Sequence, residues 1–189
     1  MGTGGCLEET PTDDIIIQDI IIPNTHNIKT SNSILRKTLT HKEDPPIKVF
    51  RSKIVGLHNT LRKKNDAPEL IEDPNLNDIA DEYAIRLLKN QVQTEEIYKK
   101  RLPGENVIVT SDNNATKIFK KWQDEGERYA LKKRKYSKDT SHFTLIVWKE
   151  TKQIGIGFCY DKENNNYSLV FLYDPPGNTL GDFSKNVTK

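Results

Sequence analysis

The chain has 189 residues, of which 34% are hydrophobic, and its mean hydropathy is −0.72. That length supports one domain with a real core, while so polar a composition predicts an unpacked portion as well. A net charge of +2 makes no global demand for a polyanion, which argues against a nucleic-acid binder.

Only two cysteines occur, Cys6 and Cys159, far apart in sequence. They form no disulfide framework and favour a reducing compartment. No apolar run is long enough for a transmembrane helix, and the first residues lack the pattern of a secretory signal. The chain is therefore expected inside the cell. It opens Met1-Gly2-Thr3-Gly4-Gly5-Cys6. Gly2 is a myristoylation acceptor, although Cys6 stands where Ser or Thr is usual, and Cys6 is itself a palmitoylation candidate. One acyl chain binds membranes marginally and two bind stably. An unmodified glycine-rich start is the alternative.

Residues 1–45 form an extension rich in Thr, Asn, Asp and Ser, broken by prolines. Within it the run 15–22 holds six isoleucines around Gln18 and Asp19. A solvated tail has no use for such a run. It is expected to pack on the domain as an added strand, or to touch a membrane or a partner.

A first helix is predicted over 48–65, since Phe50, Ile54, Leu57 and Leu61 share one stripe. His58 and Arg62 flank it. Asp73 followed by Pro74 caps a second helix, carrying Leu76, Ile79, Ala80, Tyr83, Leu87 and Leu88 and ending near Asn90. Residues 91–103 read as a long polar loop or a broken helix, and 104–109 as a turn entering a strand. Residues 111–114 offer caps for a third helix with the stripe Ile118, Trp122 and Tyr129. Glu125 falls on the same stripe, and an inward carboxylate needs a partner.

Around the third helix lie Lys117, Lys120, Lys121, Arg128, Lys132, Lys133, Arg134, Lys135 and Lys138. Such a run is either a solvated face or a surface for acidic headgroups. The apolar run 143–148 is predicted as a strand, turning through 149–153 into a second strand with Gly155 and Gly157. Glycines at period two leave one face bare, open to close backbone approach. His142 heads this hairpin and asks for a partner. The last strand is 167–173, and 183–189 reads as a tail.

Four blocks occur in order: His58-Asn59-Thr60-Leu61-Arg62, Gly104-Glu105-Asn106, His142-Phe143-Thr144 with Trp148, and Tyr173-Asp174-Pro175-Pro176-Gly177-Asn178. Together they resemble the signature of the CAP superfamily, comprising cysteine-rich secretory, antigen 5 and pathogenesis-related-one proteins. Within it the chain is most similar to the intracellular, myristoylated Golgi-associated plant pathogenesis-related type. The likeness spans 48–180, and the long extension departs from it.

This resemblance implies an α+β fold, a three-layer α-β-α sandwich with a central antiparallel sheet, in a domain over 46–182. It also implies a cleft of two histidines and two glutamates. Carried over, these positions are Glu105, Glu125, His142 and, where a second histidine would stand, Asn90. His58, Asn59, Arg62, Asn106 and Trp148 belong to the structural part of the motif. A full set could hold zinc; His142 with Glu105 and Glu125 makes a poorer site, because an Asn amide is a weak zinc ligand, and the three are rather expected to bond one another and tie helix to sheet, with no cofactor required.

Three functions follow as expectations. One is a non-enzymatic protein at the cytoplasmic face of membranes, Golgi included, that binds sterol or acidic phospholipid and self-associates as a homodimer. Another is a metal-dependent hydrolase built on His142, Glu105 and Glu125. The last is an interaction scaffold acting through the run 15–22.

Overall fold

The computed structural model describes residues 45–89, 104–112, 114–131, 135–161 and 163–188. Gly2, Cys6, the isoleucine run 15–22, Asn90, the loop 91–103 and Lys132, Lys133 and Arg134 lie outside the described residues.

Helix α1 spans Pro45–Lys64 and is followed by the two-residue strand β1, Ile71–Glu72. Helix α2 spans Pro74–Leu88. Its Asp73 cap accepts from the amides of Asn75 and Leu76, and Pro74 opens the first turn, as the sequence predicts. Strand β2 is Gly104–Thr110. Helix α3, Ala115–Gln123, starts on the Asn114 side chain, which accepts from the Lys117 amide. The chain breaks at Asp124 and resumes as α4, Glu125–Leu131. A 3-10 turn, Lys138–Thr140, leads into the short helix α5, Ser141–Ile146. Strands β3, Gln153–Asp161, and β4, Asn166–Asp174, form a hairpin, and α6, Phe183–Asn186, closes the fold.

The sheet order is β1-β3-β4-β2, with β2-β4 and β4-β3 antiparallel and β1 added in parallel to the start of β3. Helices cover both faces. Tyr83, Ala80 and Ala84 of α2 cluster with Val170 and Leu172 on one face. On the other, Phe50, Ile54 and Leu61 of α1 and Ile118, Phe119 and Trp122 of α3 pack with Ile154, Ile156, Leu169, Phe171 and Tyr173. The mixed α/β sandwich is therefore present, with β1 as a parallel addition to its antiparallel centre.

The bare glycine face of β3 is where α2 lies. A Cβ on Gly155 would stand 2.4 Å from the Leu76 backbone, and one on Gly157 would stand 2.1 Å from Ala80. So close an approach selects small groups on the helix, which is why Asn77, Ala80 and Ala84 are buried while Ile79 is exposed. Beyond β1, side chains replace a strand neighbour along β3. Asn77 Oδ1 accepts from the Ile156 amide, Asp81 Oδ1 accepts from Phe158, and Arg51 donates to the Ile156 carbonyl.

Two expectations are corrected. The run 143–148 is not a strand: Ser141–Ile146 is helical, so the predicted 141–157 hairpin does not form. All six residues 143–148 are buried, so they carry no alternation to favour a strand over a buried helix. Tertiary contacts decide, as Glu125 takes the Phe143 amide and Arg62 takes the Ile146 and Trp148 carbonyls. The tail expected at 183–189 is also docked in part. Phe183 and Val187 are buried, Phe183 packs edge-on to Trp148, and Asn186 accepts from the Lys149 and Glu150 amides.

Candidate functional site

The signature side chains of α1 form a buried polar frame. Arg62 is fully buried. Its guanidinium donates to the carbonyls of Pro68, Ile146, Trp148 and Thr151, tying α1 to the end of α5 and to the entry of β3. Burial lowers its pKa to about 10, which leaves it charged at neutral pH. Asn59 clasps Leu70 through both backbone groups. Trp148 is buried beneath Gly177, where a Cβ would stand 2.9 Å from the indole.

His58 is also fully buried. Its Nδ1 lies 2.9 Å from the Ile54 carbonyl, which can only accept, so Nδ1 carries the hydrogen. Nε2 must then accept, and the Tyr173 hydroxyl donates to it at 2.9 Å. The Asn106 amide in turn donates to that hydroxyl and to the His142 carbonyl, both at 3.2 Å. Desolvation lowers the His58 pKa to about 4, so the ring is neutral. Burial pushes the Tyr173 phenol well above its usual range.

His142 stands at the outer end of this chain, with 36% of its side chain exposed. The ring stacks on Trp122 at 5.2 Å and an interplanar angle of 6°. Its Nδ1 meets Glu125 Oε1 at 2.9 Å, while Glu125 Oε2 accepts the Phe143 amide at 3.0 Å. The helix break at Asp124 places Glu125 at the first position of α4, facing α5. One inward carboxylate thus orients the ring and holds the first turn of α5. The hydroxyls flanking His142 are engaged elsewhere: Ser141 donates to the Lys138 carbonyl, and Thr144 donates to Asn178 Oδ1.

Glu105 does not join the pair. Strand alternation sends Asn106 toward Tyr173 and α5, and Glu105 to the opposite face, toward α2. There the Tyr83 hydroxyl donates to Glu105 Oε1 at 3.3 Å. Partial desolvation raises the Glu105 carboxyl, opposed by the Tyr83 bond. Desolvation first, and then the adjacent Glu105, push the Tyr83 phenol above its usual range.

Among the described residues no three His, Cys, Asp or Glu side chains gather where they could hold a metal ion. The donor set explains this. His142 presents one ring nitrogen beyond the Glu125 bond, both Glu125 oxygens are engaged, and Glu105 lies on the other face. A zinc site on His142, Glu105 and Glu125 does not fit these side chains, and of the mutual bonding expected among the three only the His142–Glu125 contact is made. The expectation that Asn90 lines the same cleft falls on a residue outside the described set.

Three contributors escape the sequence reading. Tyr83 appears there only as part of an apolar stripe, though a buried phenol needs a partner and the hydroxyl was the available signal. Thr144 and Asn178 lie in two separate signature blocks, and the structure joins them. Cys159 is half-buried, and burial pushes its thiol up to about 11.

A family model described as "Cysteine-rich secretory protein family" matches residues 55–173. The human Golgi-associated plant pathogenesis-related protein 1 is 30% identical over 144 residues, covering 74% of this chain and 93% of that protein. Salivary antigen-5 of Dipetalogaster maximus is 40% identical over 72 residues, which are 37% of this chain and 28% of that protein. Among solved structures, Schistosoma mansoni venom allergen-like protein 4 superposes with a TM-score of 0.54 at 23% identity. That superposition covers 67% of this chain and 87% of the other, and it shows the shared fold alone. The matched span covers more than half of the chain and the human relative is covered almost whole: the protein belongs to the cysteine-rich secretory protein (CAP) family.

Proposed function

We propose that this CAP domain is a non-enzymatic binding protein of membrane surfaces carrying acidic phospholipids or sterols. One observation carries the reading. On α3, α4, the 3-10 segment and the residues leading into it, the cations Lys117, Lys120, Lys121, Arg128, Lys135 and Lys138 are all exposed, with Lys117 paired to Asp112. The exposed carboxylates there are Asp124, Glu127 and Asp139, because Glu125 is turned inward to His142. A surface of that balance attracts anionic headgroups and weakens with salt. The role of Glu125 supports a binding reading too, since both its oxygens position neighbours rather than stand open to a reactant.

Likeness to a human protein named as Golgi-associated supports a place on Golgi membranes, and the proposal puts the domain on their cytoplasmic face. Acylation at Gly2 or Cys6 would add the anchor, and no helix among the described residues is long and apolar enough to cross a membrane. The test is sedimentation of the full, unacylated chain with vesicles. Equal parts of phosphatidylcholine and phosphatidylserine should bind it, with affinity falling as salt rises. Lys120→Glu combined with Lys121→Glu should weaken binding roughly tenfold or more. Equal sedimentation with pure phosphatidylcholine, unchanged by salt, refutes the proposal.

A further inference from the structure

Among the exposed apolar side chains of the described residues, one stands on a tight turn. Leu180 is 79% exposed. It occupies the first corner of the tight turn from Thr179 to Asp182, closed by the Asp182 amide donating to the Thr179 carbonyl at 3.2 Å. Gly181 takes the second corner with φ +95, a conformation that favours glycine, and a Cβ there would meet nothing within 4 Å. The Gly181 corner therefore faces open space.

Both of its ends are fixed. On one side, Asn178 donates to the Ser141 carbonyl and accepts from Thr144. On the other, Phe183 is buried edge-on to Trp148 at 5.0 Å. A leucine held rigidly outward contributes nothing to folding, since its apolar surface stays in water.

Tyr136 belongs to the same corner. It is 51% exposed and lies against Phe183 with ring centroids 6.0 Å apart. Its ring thus sits beside the residue that anchors the Leu180 turn. Lys135 and Lys138 flank it and are both exposed. The carboxylates nearby are Asp139 and Asp182, together with Glu150, which is paired with Lys185.

We infer that Leu180 and Tyr136 are the insertion point of the domain into an acidic lipid bilayer, with Lys135 and Lys138 at the headgroups. Scale selects the occupant. One turn and one ring are far too small for a stable protein interface, which buries on the order of 1,000 Å² or more. A bilayer needs only a shallow apolar tip and nearby cations. Tyrosine suits the boundary, with an apolar ring and a polar end, and lysine stems reach upward to the phosphates. The inference rests on the membrane reading above and gives it an orientation: the 3-10 segment and the Leu180 turn face the lipid.

The experiment uses the full, unacylated chain and vesicles of equal parts phosphatidylcholine and phosphatidylserine. Leu180→Asp and Tyr136→Ser change exposed positions, and circular dichroism checks the fold of each. Each should weaken vesicle binding roughly tenfold, at low and at high salt alike. Leu180→Trp should shift its emission to the blue on vesicles and be quenched by lipids brominated in the acyl chain. If Leu180→Asp binds like the parent, and Leu180→Trp neither shifts nor is quenched, the insertion point is refuted. The Lys120→Glu, Lys121→Glu pair then decides the broader reading by itself. If the parent chain ignores phosphatidylserine vesicles altogether, both proposals fall.

Discussion

His58 and His142 are joined through two side chains, the Tyr173 hydroxyl and the Asn106 amide, yet they live in opposite environments. His58 is fully buried, with both ring nitrogens committed inside the protein and a ring that stays neutral. His142 has one nitrogen on Glu125, a face on Trp122 and about a third of its side chain in solvent. The same side chain is a bolt at one end of the network and, at the other, where the network reaches only the backbone carbonyl, a surface feature. Burial decides which, because it removes both the solvent and the freedom to ionise. Substitutions along the network should therefore cost stability at the His58 end and alter local order at the His142 end.

The largest effect is expected at Arg62, beside His58. Arg62→Met keeps much of the volume but takes the donor away from four carbonyls, those of Pro68, Ile146, Trp148 and Thr151, of which Trp148 still accepts from the Thr151 amide. Unsatisfied buried acceptors are costly, so the loss should be about 4 kcal/mol, a large part of a typical domain's stability. Denaturant unfolding of parent and variant measures it. A loss below about 1 kcal/mol would mean that the clamp is ornamental and that the contrast between the two ends is not one of stability.

Next comes the pH dependence that His58 imposes. Its folded pKa is lowered to about 4, whereas the unfolded ring titrates near 6.5. Between those values the unfolded chain binds the extra proton, so stability rises with pH in that window. On acidification it is intact above about 6.5, falls through the interval and is lost by about 4, a total near 3 kcal/mol. Melting temperatures at pH 7, 6, 5 and 4 should show the decline, and His58→Gln should flatten it. A decline of equal size in His58→Gln would assign it to other groups.

Much of this arrangement can be read from the residues. Asp73 with Pro74, Asn114, and the glycine pair at 155 and 157 announce a cap, a second cap and a face for close packing, because each has a local physical cause. Glu125 announces itself as a carboxylate on an apolar stripe, and its partner is indeed His142. The run 143–148 misleads because every residue in it is buried, and a period cannot be read from a stretch without contrast. Its helical form depends on Glu125 and Arg62, which lie 18 and more residues away in sequence. Glu105 misleads for a different reason. The motif places it beside Asn106 in sequence, but a strand sends neighbours to opposite faces, so it meets Tyr83 instead. Beta propensity and motif order are weak where a long-range polar contact competes with them.

A smaller effect is expected at the His142 end. Glu125→Gln keeps the shape, but its single carbonyl oxygen cannot serve both the His142 ring and the Phe143 amide as the carboxylate does. Charge-assisted hydrogen bonds are the stronger class, so a loss of about 2 kcal/mol is expected, roughly half that at Arg62. The more telling readout is local. The His142 ring resonances should broaden or split while those of His58 stay put. If His58 moved as much as His142, the network would transmit strain along its whole length, and the two ends would be one site.

The smallest effect belongs to Tyr83→Phe on the opposite face of the sheet. The ring keeps its place among Ala80, Ala84, Val170 and Leu172, so packing is conserved. What disappears is the 3.3 Å hydroxyl bond to Glu105, a long bond to a carboxylate that is partly in water. Stability should change by less than about 1 kcal/mol. The direction of a second quantity is sharper. The Tyr83 bond opposes the desolvation that raises the Glu105 carboxyl. Without it, Glu105 should titrate at still higher pH in carboxyl-resolved NMR. His142, on the other side of the sheet, should not respond. A response at His142 would mean that Glu105 does communicate with the pair, and that the sheet does not separate the positions that the family motif groups together.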